Sequence, residues 1–181
     1  VSSIALVDPL SQSAWLFDAT PDFKHQLKML KIQYPESTLK GIFLTHAHIG
    51  HYTGLMQLGH EVMGASGVPV YAMPQMTTFL QTNGPWSQLV HYGNISLQAL
   101  DADQAINLTP EISVTPFVVP HRDEYSETVG YKIQSSDSSL LYIPDINKWE
   151  VWNRSIENEI RKVHFALLDG TFYDCLLYTS D

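Results

Sequence analysis

Apolar positions along the chain alternate between two periods, and the switches mark the elements. Ser3–Asp8 and Ala14–Asp18 have the composition of a strand pair joined by a polar loop. Thr20-Pro21-Asp22 then reads as a helix start, with Thr20 as cap and Pro21 in the first turn. Phe23, Leu27 and Leu30 follow at helical spacing. Gly41–Leu44 predicts a short strand, Gly54–Met63 a helix with Leu55, Leu58 and Val62 on one side, and Val68–Ala72 another strand. A helix over Pro74–Thr82 is opened by Pro74 and stopped by Asn83-Gly84-Pro85. The second half is richer in strands: Ile95–Leu100, Ala105–Leu108, Ile112–Val119, Thr128–Ile133 and Leu140–Ile143, the last two joined by a serine-rich turn. Lys148–Lys162 predicts a helix and Phe165–Leu168 a final strand. Strands that often follow one another without an intervening helix argue for a layered α/β fold rather than a purely parallel sheet.

Composition narrows the function. The chain has 181 residues, 44% of them hydrophobic and 16% charged, which supports a packed core rather than disorder. Its formal net charge of -9 argues against a basic groove that tracks nucleic-acid phosphates, and no nucleic-acid partner is expected. No apolar run approaches the ~18 residues of a membrane span. The first residues, Val1 to Asp8, have no basic segment and no Met, and so read neither as a signal peptide nor as a native start. A single cysteine, Cys175, excludes a thiolate metal cluster, so metal chemistry would have to use the 8 histidines and carboxylates, a donor set that suits zinc or iron.

The informative stretch is Phe43-Leu44-Thr45-His46-Ala47-His48-Ile49-Gly50-His51, directly after an apolar strand. In extended backbone His46 and His48 project to the same side, so both rings can reach one ion. His51 follows a glycine at which the chain can turn, and is expected to face a neighbouring position. The alternative is a histidine-rich surface loop. Catalytic zinc takes three protein ligands and keeps one position open. His25, His60, His91, His121 and His164 are the candidates for the third. His25 and His60 fall among polar helical residues and His91 in a loop, while His164 opens a strand. His121 stands where an apolar strand ends at Pro120 and turns polar, and Asp145 stands in the same context after Pro144. Each alone also fits a local role, a backbone-bonded loop histidine or an Asx turn.

Together these pieces resemble the metallo-β-lactamase superfamily. His46, His48 and His51 match its first histidine motif, His121 its distant histidine, and Asp145 the aspartate that bridges two metals. A closer similarity is to the branch containing the B protein of pyrroloquinoline-quinone biosynthesis, carried by Phe17–Asp22, Asn83–Leu89, Pro120–Tyr125 and Leu168–Phe172. The resemblance implies an αββα sandwich with the site at one edge, present here incompletely over residues 1–174. It implies a metal-dependent hydrolase acting on a small-molecule ester, lactone, amide or phosphoester. In that scheme His46, His48 and His121 hold the metal, Asp145 orients the attacking hydroxide, and Asp18, Thr45 and Asp169 lie behind the ligands. Trp86, Arg122 and Tyr125 would line the substrate.

The motif's own aspartate is replaced by Gly50, so one tight zinc is expected, with a weaker second position at His51 and Asp145. The family's last histidine would fall beyond residue 181. Residues 175–181 read as a non-native tail, similar to a translated sequencing adapter. Two alternatives accompany the hydrolase reading. One is an iron-dependent oxygenase on the same fold; the other is a metal-binding member impaired in catalysis.

Overall fold

A computed structural model describes residues 2–170. Cys175 and the segment 175–181 lie outside the described residues. The strands are β1 (Ile4–Asp8), β2 (Ser13–Phe17), β3 (Thr38–Phe43), β4 (Val68–Ala72), β5 (Ile95–Ala99), β6 (Ile106–Asn107), β7 (Ser113–Val118), β8 (Val129–Gln134), β9 (Ser139–Ile143) and β10 (Phe165–Leu168). The α-helices are α1 (Phe23–Gln33), α2 (Ile49–Tyr52), α3 (Pro74–Thr82), α4 (Trp86–His91) and α5 (Ile156–Ile160). One five-stranded sheet runs β1-β2-β3-β4-β5; its first pair is antiparallel and the rest are parallel. The other runs β10-β9-β8-β7-β6, antiparallel except where β10 joins β9.

The alternation of side chains along each strand divides the interior into three layers. In β2, Trp15 and Phe17 face the second sheet, while Leu16 faces the helices. In β3, Phe43 faces the second sheet and Ile42 the helices. From the opposite side Val114, Val129, Tyr131 and Tyr142 fill the space between the sheets. Phe17 and Phe43 stack at 4.9 Å, and Tyr131 meets Phe17 edge-on at 5.2 Å, arrangements that aromatic rings prefer. The outer face of the second sheet, with Phe117, Leu141 and Ile143, packs on Trp152 and Ile156. Helix, sheet, sheet, helix is therefore the order of the layers, an αββα sandwich.

Four helical expectations need correction. The helix expected over Gly54–Met63 is instead the short α2 followed by a 3-10 turn at Thr53–Leu58. Gly54 lies against the backbone of Ala19 and Thr20, and its N–H donates to the Ala19 carbonyl at 2.9 Å. That contact fixes a tight local path that an α-helix cannot follow. The first helix begins at Phe23, two residues after the expected proline start, because Thr20 Oγ1 accepts from Asp22 N–H and closes a turn there. Lys148–Lys162 is not one helix: a 3-10 turn at Trp149–Val151 is separated from α5, which Ser155 caps by accepting from Asn158 N–H. Finally, α4 follows Pro85, where no helix was expected.

Among the described residues no helix is long and apolar enough to cross a membrane.

Candidate metal centre

The parallel pair β2 and β3 ends at one edge of its sheet, and β7 and β9, which run the same way as each other, end at the same edge of the sandwich. Each strand delivers a site segment there: Asp18 after β2, Thr45 to His48 after β3, His121 after β7, Asp145 after β9. Two cross-links lock the edges together. Val129 N–H donates to the Thr45 carbonyl at 3.1 Å, and the Tyr131 hydroxyl donates to the Leu44 carbonyl. Ligand sites favour such strand ends because the backbone is leaving its ladder and side chains converge without filling the core.

His46, His48, His121 and Asp145 each offer one ligand atom, and all four atoms lie within 4.8 Å of one another. His46 Nε2 is 2.9 Å from His48 Nδ1, His121 Nε2 is 3.1 Å from the same atom, and Asp145 Oδ2 is 3.3 Å from His46 Nε2. Two ligands of one ion at bond lengths of about 2.0–2.1 Å can be no more than about 4 Å apart, and the three pair distances of 2.9, 3.1 and 3.3 Å fall inside that limit. His51 stands to one side. Its Nε2 is 2.8 Å from Asp145 Oδ2, and it does not belong to the group of four.

The supports behind these groups fix their orientation. Asp18 is fully buried, and its carboxylate accepts from Thr45 N–H (2.8 Å), the Thr45 hydroxyl (2.8 Å) and His51 Nδ1–H (2.7 Å). Because the Thr45 hydroxyl donates to Asp18, its oxygen is left to accept from His46 Nδ1–H at 2.9 Å. The proton of His46 therefore sits on Nδ1, and the Nε2 lone pair faces the rest of the group. Second partners of this kind orient metal-binding imidazoles and raise their basicity.

Charge states agree with a ligand set. Burial lowers the pKa of His46, only partly offset by Asp145, and burial likewise lowers that of His121. Both rings are then neutral at neutral pH, as coordination requires. Burial would raise the Asp145 carboxyl, but the neighbouring His46 and His51 rings outweigh that, His51 by donating Nε2–H at 2.8 Å, and hold it well below the usual range. Burial opposes protonation of His51 too, yet the bonds to Asp145 and Asp18 push its pKa up to about 10. His121 Nδ1 is buried without a well-aligned hydrogen bond, although the Asn147 side chain is near enough to influence the ring.

Of the remaining candidates, Asp169 accepts from Ile146 N–H at 3.2 Å and so steadies the loop that carries Asp145. Trp86 packs on Tyr52 at 4.8 Å, Tyr125 lies on Phe79 at 5.6 Å and is 65% exposed, and Arg122 is exposed. His25, His60, His91 and His164 are exposed and stand apart from the group.

Two supports escaped the sequence reading. Glu124 Oε2 is 2.9 Å from His48 Nε2, and Ser126 Oγ accepts from Ala47 N–H at 2.8 Å. Both come from the polar loop after His121, a spacing of more than 70 residues that no local pattern reveals.

This sandwich, with its histidine–aspartate edge, is one protein class, and sequence comparison agrees: residues 14–179 match the beta-lactamase superfamily domain. The chain belongs to the metallo-β-lactamase superfamily. It is 32% identical to ribonuclease Z of Gloeothece citriformis over 141 residues, 76% of this chain and 42% of that protein. It is 27% identical to coenzyme PQQ synthesis protein B of Nitrosococcus oceani over 184 residues, 87% of this chain and 58% of that protein. The crystal structure of Zn(2+)-bound PqqB from Methylobacterium extorquens superimposes with a TM-score of 0.70 at 22% identity, covering 93% of this chain and 59% of that one. The chain thus spans roughly half the length of the curated relatives it matches.

Proposed function

We propose that the protein is a metal-dependent hydrolase that uses zinc on a small-molecule ester, lactone, amide or phosphoester. The observation that carries the reading is the convergence of His46, His48 and His121 ring nitrogens with the Asp145 carboxylate. A zinc ion held by His46, His48 and His121 would supply Lewis acidity, keep one position open and lower the pKa of its water to about 7. Asp145 keeps its negative charge at neutral pH and offers Oδ2 as the acceptor that orients an attacking O–H. The Asp18–Thr45–His46 chain holds the His46 tautomer, and Asp18 with Asp145 holds the ring of His51. We infer one firmly held ion and a weaker second position at His51 and Asp145, because Gly50 brings no carboxylate.

The relatives include ribonucleases, but the rim of this site disfavours a polyanion. The loop 121–127 carries Asp123, Glu124 and Glu127 against the single Arg122, and the whole chain is at -9. That field repels a phosphate backbone and leaves small substrates as the better fit. Three imidazoles and a carboxylate also suit iron.

Metal analysis of protein purified without chelator, for the parent and His48→Ala, tests the reading together with a panel of phosphodiester, lactone, ester and RNA substrates. One zinc per chain, lost in His48→Ala, with turnover of a small substrate is the expected result. Unchanged metal content in His48→Ala would sink the assignment, and bound iron with oxygen consumption would replace hydrolysis by oxygenation.

A further inference from the structure

A cleft of about 440 Å³ opens between α3 and the loop that follows His121. One wall is aromatic: Phe79 and Tyr125 meet at 5.6 Å, with Tyr52 packed behind Phe79 at 5.3 Å. Glu124 lines the same cleft while its Oε2 reaches His48 Nε2. The cleft therefore begins one imidazole ring away from the group of four ligands. The loop that forms its far side is pinned rather than loose. Glu127 accepts from Gln75 N–H at 3.1 Å and so holds the loop to the start of α3, and Thr128 Oγ1 donates to Asp123 at 2.9 Å.

At Thr78, Thr82 and Asn83 the wall is biased toward accepting, while the Gln75 side-chain amide offers both an acceptor and donors. The Thr78 hydroxyl donates to the Pro74 carbonyl, the Thr82 hydroxyl to the Thr78 carbonyl, and the Asn83 amide to Phe79 O and Thr82 Oγ1. Their hydrogens are thus committed to the helix, and their oxygens are what remain for a ligand. The lining contains a carboxylate and no lysine or arginine, although Arg122, two residues before Glu124, is near enough to act on its charge. Carboxylate, hydroxyl and carbonyl acceptors beside two aromatic faces attract a cation and repel an anion.

We infer that this cleft holds the non-reacting end of the substrate and selects an organic ammonium group. The inference rests on the reading of the adjacent metal centre as catalytic, and it adds the charge of the substrate: an amine-bearing small molecule. Glu124 has a double position, anchoring His48 with one oxygen while its charge faces the cleft.

The test uses the metal-loaded chain and three probes that share one ring: 2-phenylethylamine, 2-phenylethanol and 3-phenylpropionate. Binding is followed by calorimetry and by tryptophan fluorescence. The amine is expected to bind at least about tenfold more tightly than the alcohol, with the carboxylate weakest and the preference falling with added salt. Glu124→Gln removes the carboxylate charge and, compared with the parent at matched metal loading, should drop the amine preference to about twofold or less. Thr82→Lys places a positive charge on the exposed end of α3, away from every ligand, and should abolish the preference by itself.

Alcohol binding that equals amine binding would overturn the proposal. So would an amine preference that survives Thr82→Lys, since that is the behaviour of an amine bound directly to the metal. Amine selection in a protein that hydrolyses nothing would leave the cleft standing and remove the hydrolase reading. Hydrolysis without amine selection would do the reverse.

Discussion

Asp18→Asn probes the least visible part of the site. The substitution keeps the side chain's shape, and asparagine tolerates the left-handed backbone at this position, where φ is 65°. What changes is one acceptor. If the amide oxygen keeps the bond from Thr45 N–H, the new NH2 faces the Thr45 hydroxyl and His51 Nδ1–H, which the carboxylate accepted at 2.8 and 2.7 Å. Two hydrogen bonds to a charged group, each worth about 1.5–3 kcal/mol, are lost, and rotation of the Thr45 hydroxyl recovers one neutral bond of about 1 kcal/mol. The net loss is about 3 kcal/mol, or a fall in Tm of roughly 6–12 °C for a domain of this size.

The rotation has a second effect. A Thr45 hydroxyl that accepts from the new amide points its hydrogen at His46 Nδ1, which must then accept. The imidazole proton moves to Nε2, the atom that faces the ligand group. Metal affinity should fall about 10–100-fold, the usual consequence of losing such a support. Calorimetric melts of metal-free protein and competition against a chelating dye measure the two effects separately. A variant that melts within about 2 °C of the parent and binds metal equally well would refute the reasoning.

Other outcomes follow from single contacts. Gly54→Ala would drive a methyl group into the Thr20 carbonyl and Phe23 Cβ, and should destabilise by about 1–3 kcal/mol or more, read from urea midpoints. Tyr131→Phe leaves the Leu44 carbonyl unpaired between the sheets and should cost about 1–3 kcal/mol, a loss that chemical denaturation would detect. In metal-free protein the proton on His51 is held more tightly in the folded state, up to a pKa of about 10, than in the unfolded chain near 6.5. Its contribution is therefore complete below about pH 6.5 and is lost as pH rises toward 10, so urea midpoints should fall across that window, and a flat profile would contradict the network. Gly50→Asp meets no atom within 4 Å at its Cβ, and should raise bound metal from one ion per chain toward two by elemental analysis; an unchanged ratio would count against a weakened second position.

How much of this was legible beforehand depends on the range of each interaction. Strands such as Val68–Ala72 and Leu140–Ile143 show in the pattern because alternation and β-branched composition are local properties. The helices are a harder case. Nothing within Gly54–Met63 forbids an α-helix; the path is set by the backbone of Ala19 and Thr20, more than thirty residues earlier. The break within Lys148–Lys162 is likewise chosen by packing, with Trp152 turned onto Phe117 and Ser155 free to cap a new helix.

For the site, His46 and His48 are paired by their own spacing, so the sequence by itself determines that two imidazoles share one direction after a strand. It also determines, through motif order and strand-end context, that His121 and Asp145 are the partners to consider, and with them the superfamily. Only the tertiary structure decides that these four reach one point, because two sheets from different halves of the chain must bring their strand ends to one edge. The same step supplies what the pattern could not hold: Asp18 fixing Thr45 and His51, Glu124 fixing His48, and an acceptor-rich cleft between α3 and a loop nearly fifty residues away. Hydrogen bonds and charge fields depend on distance in space, and a linear sequence records distance only along the chain.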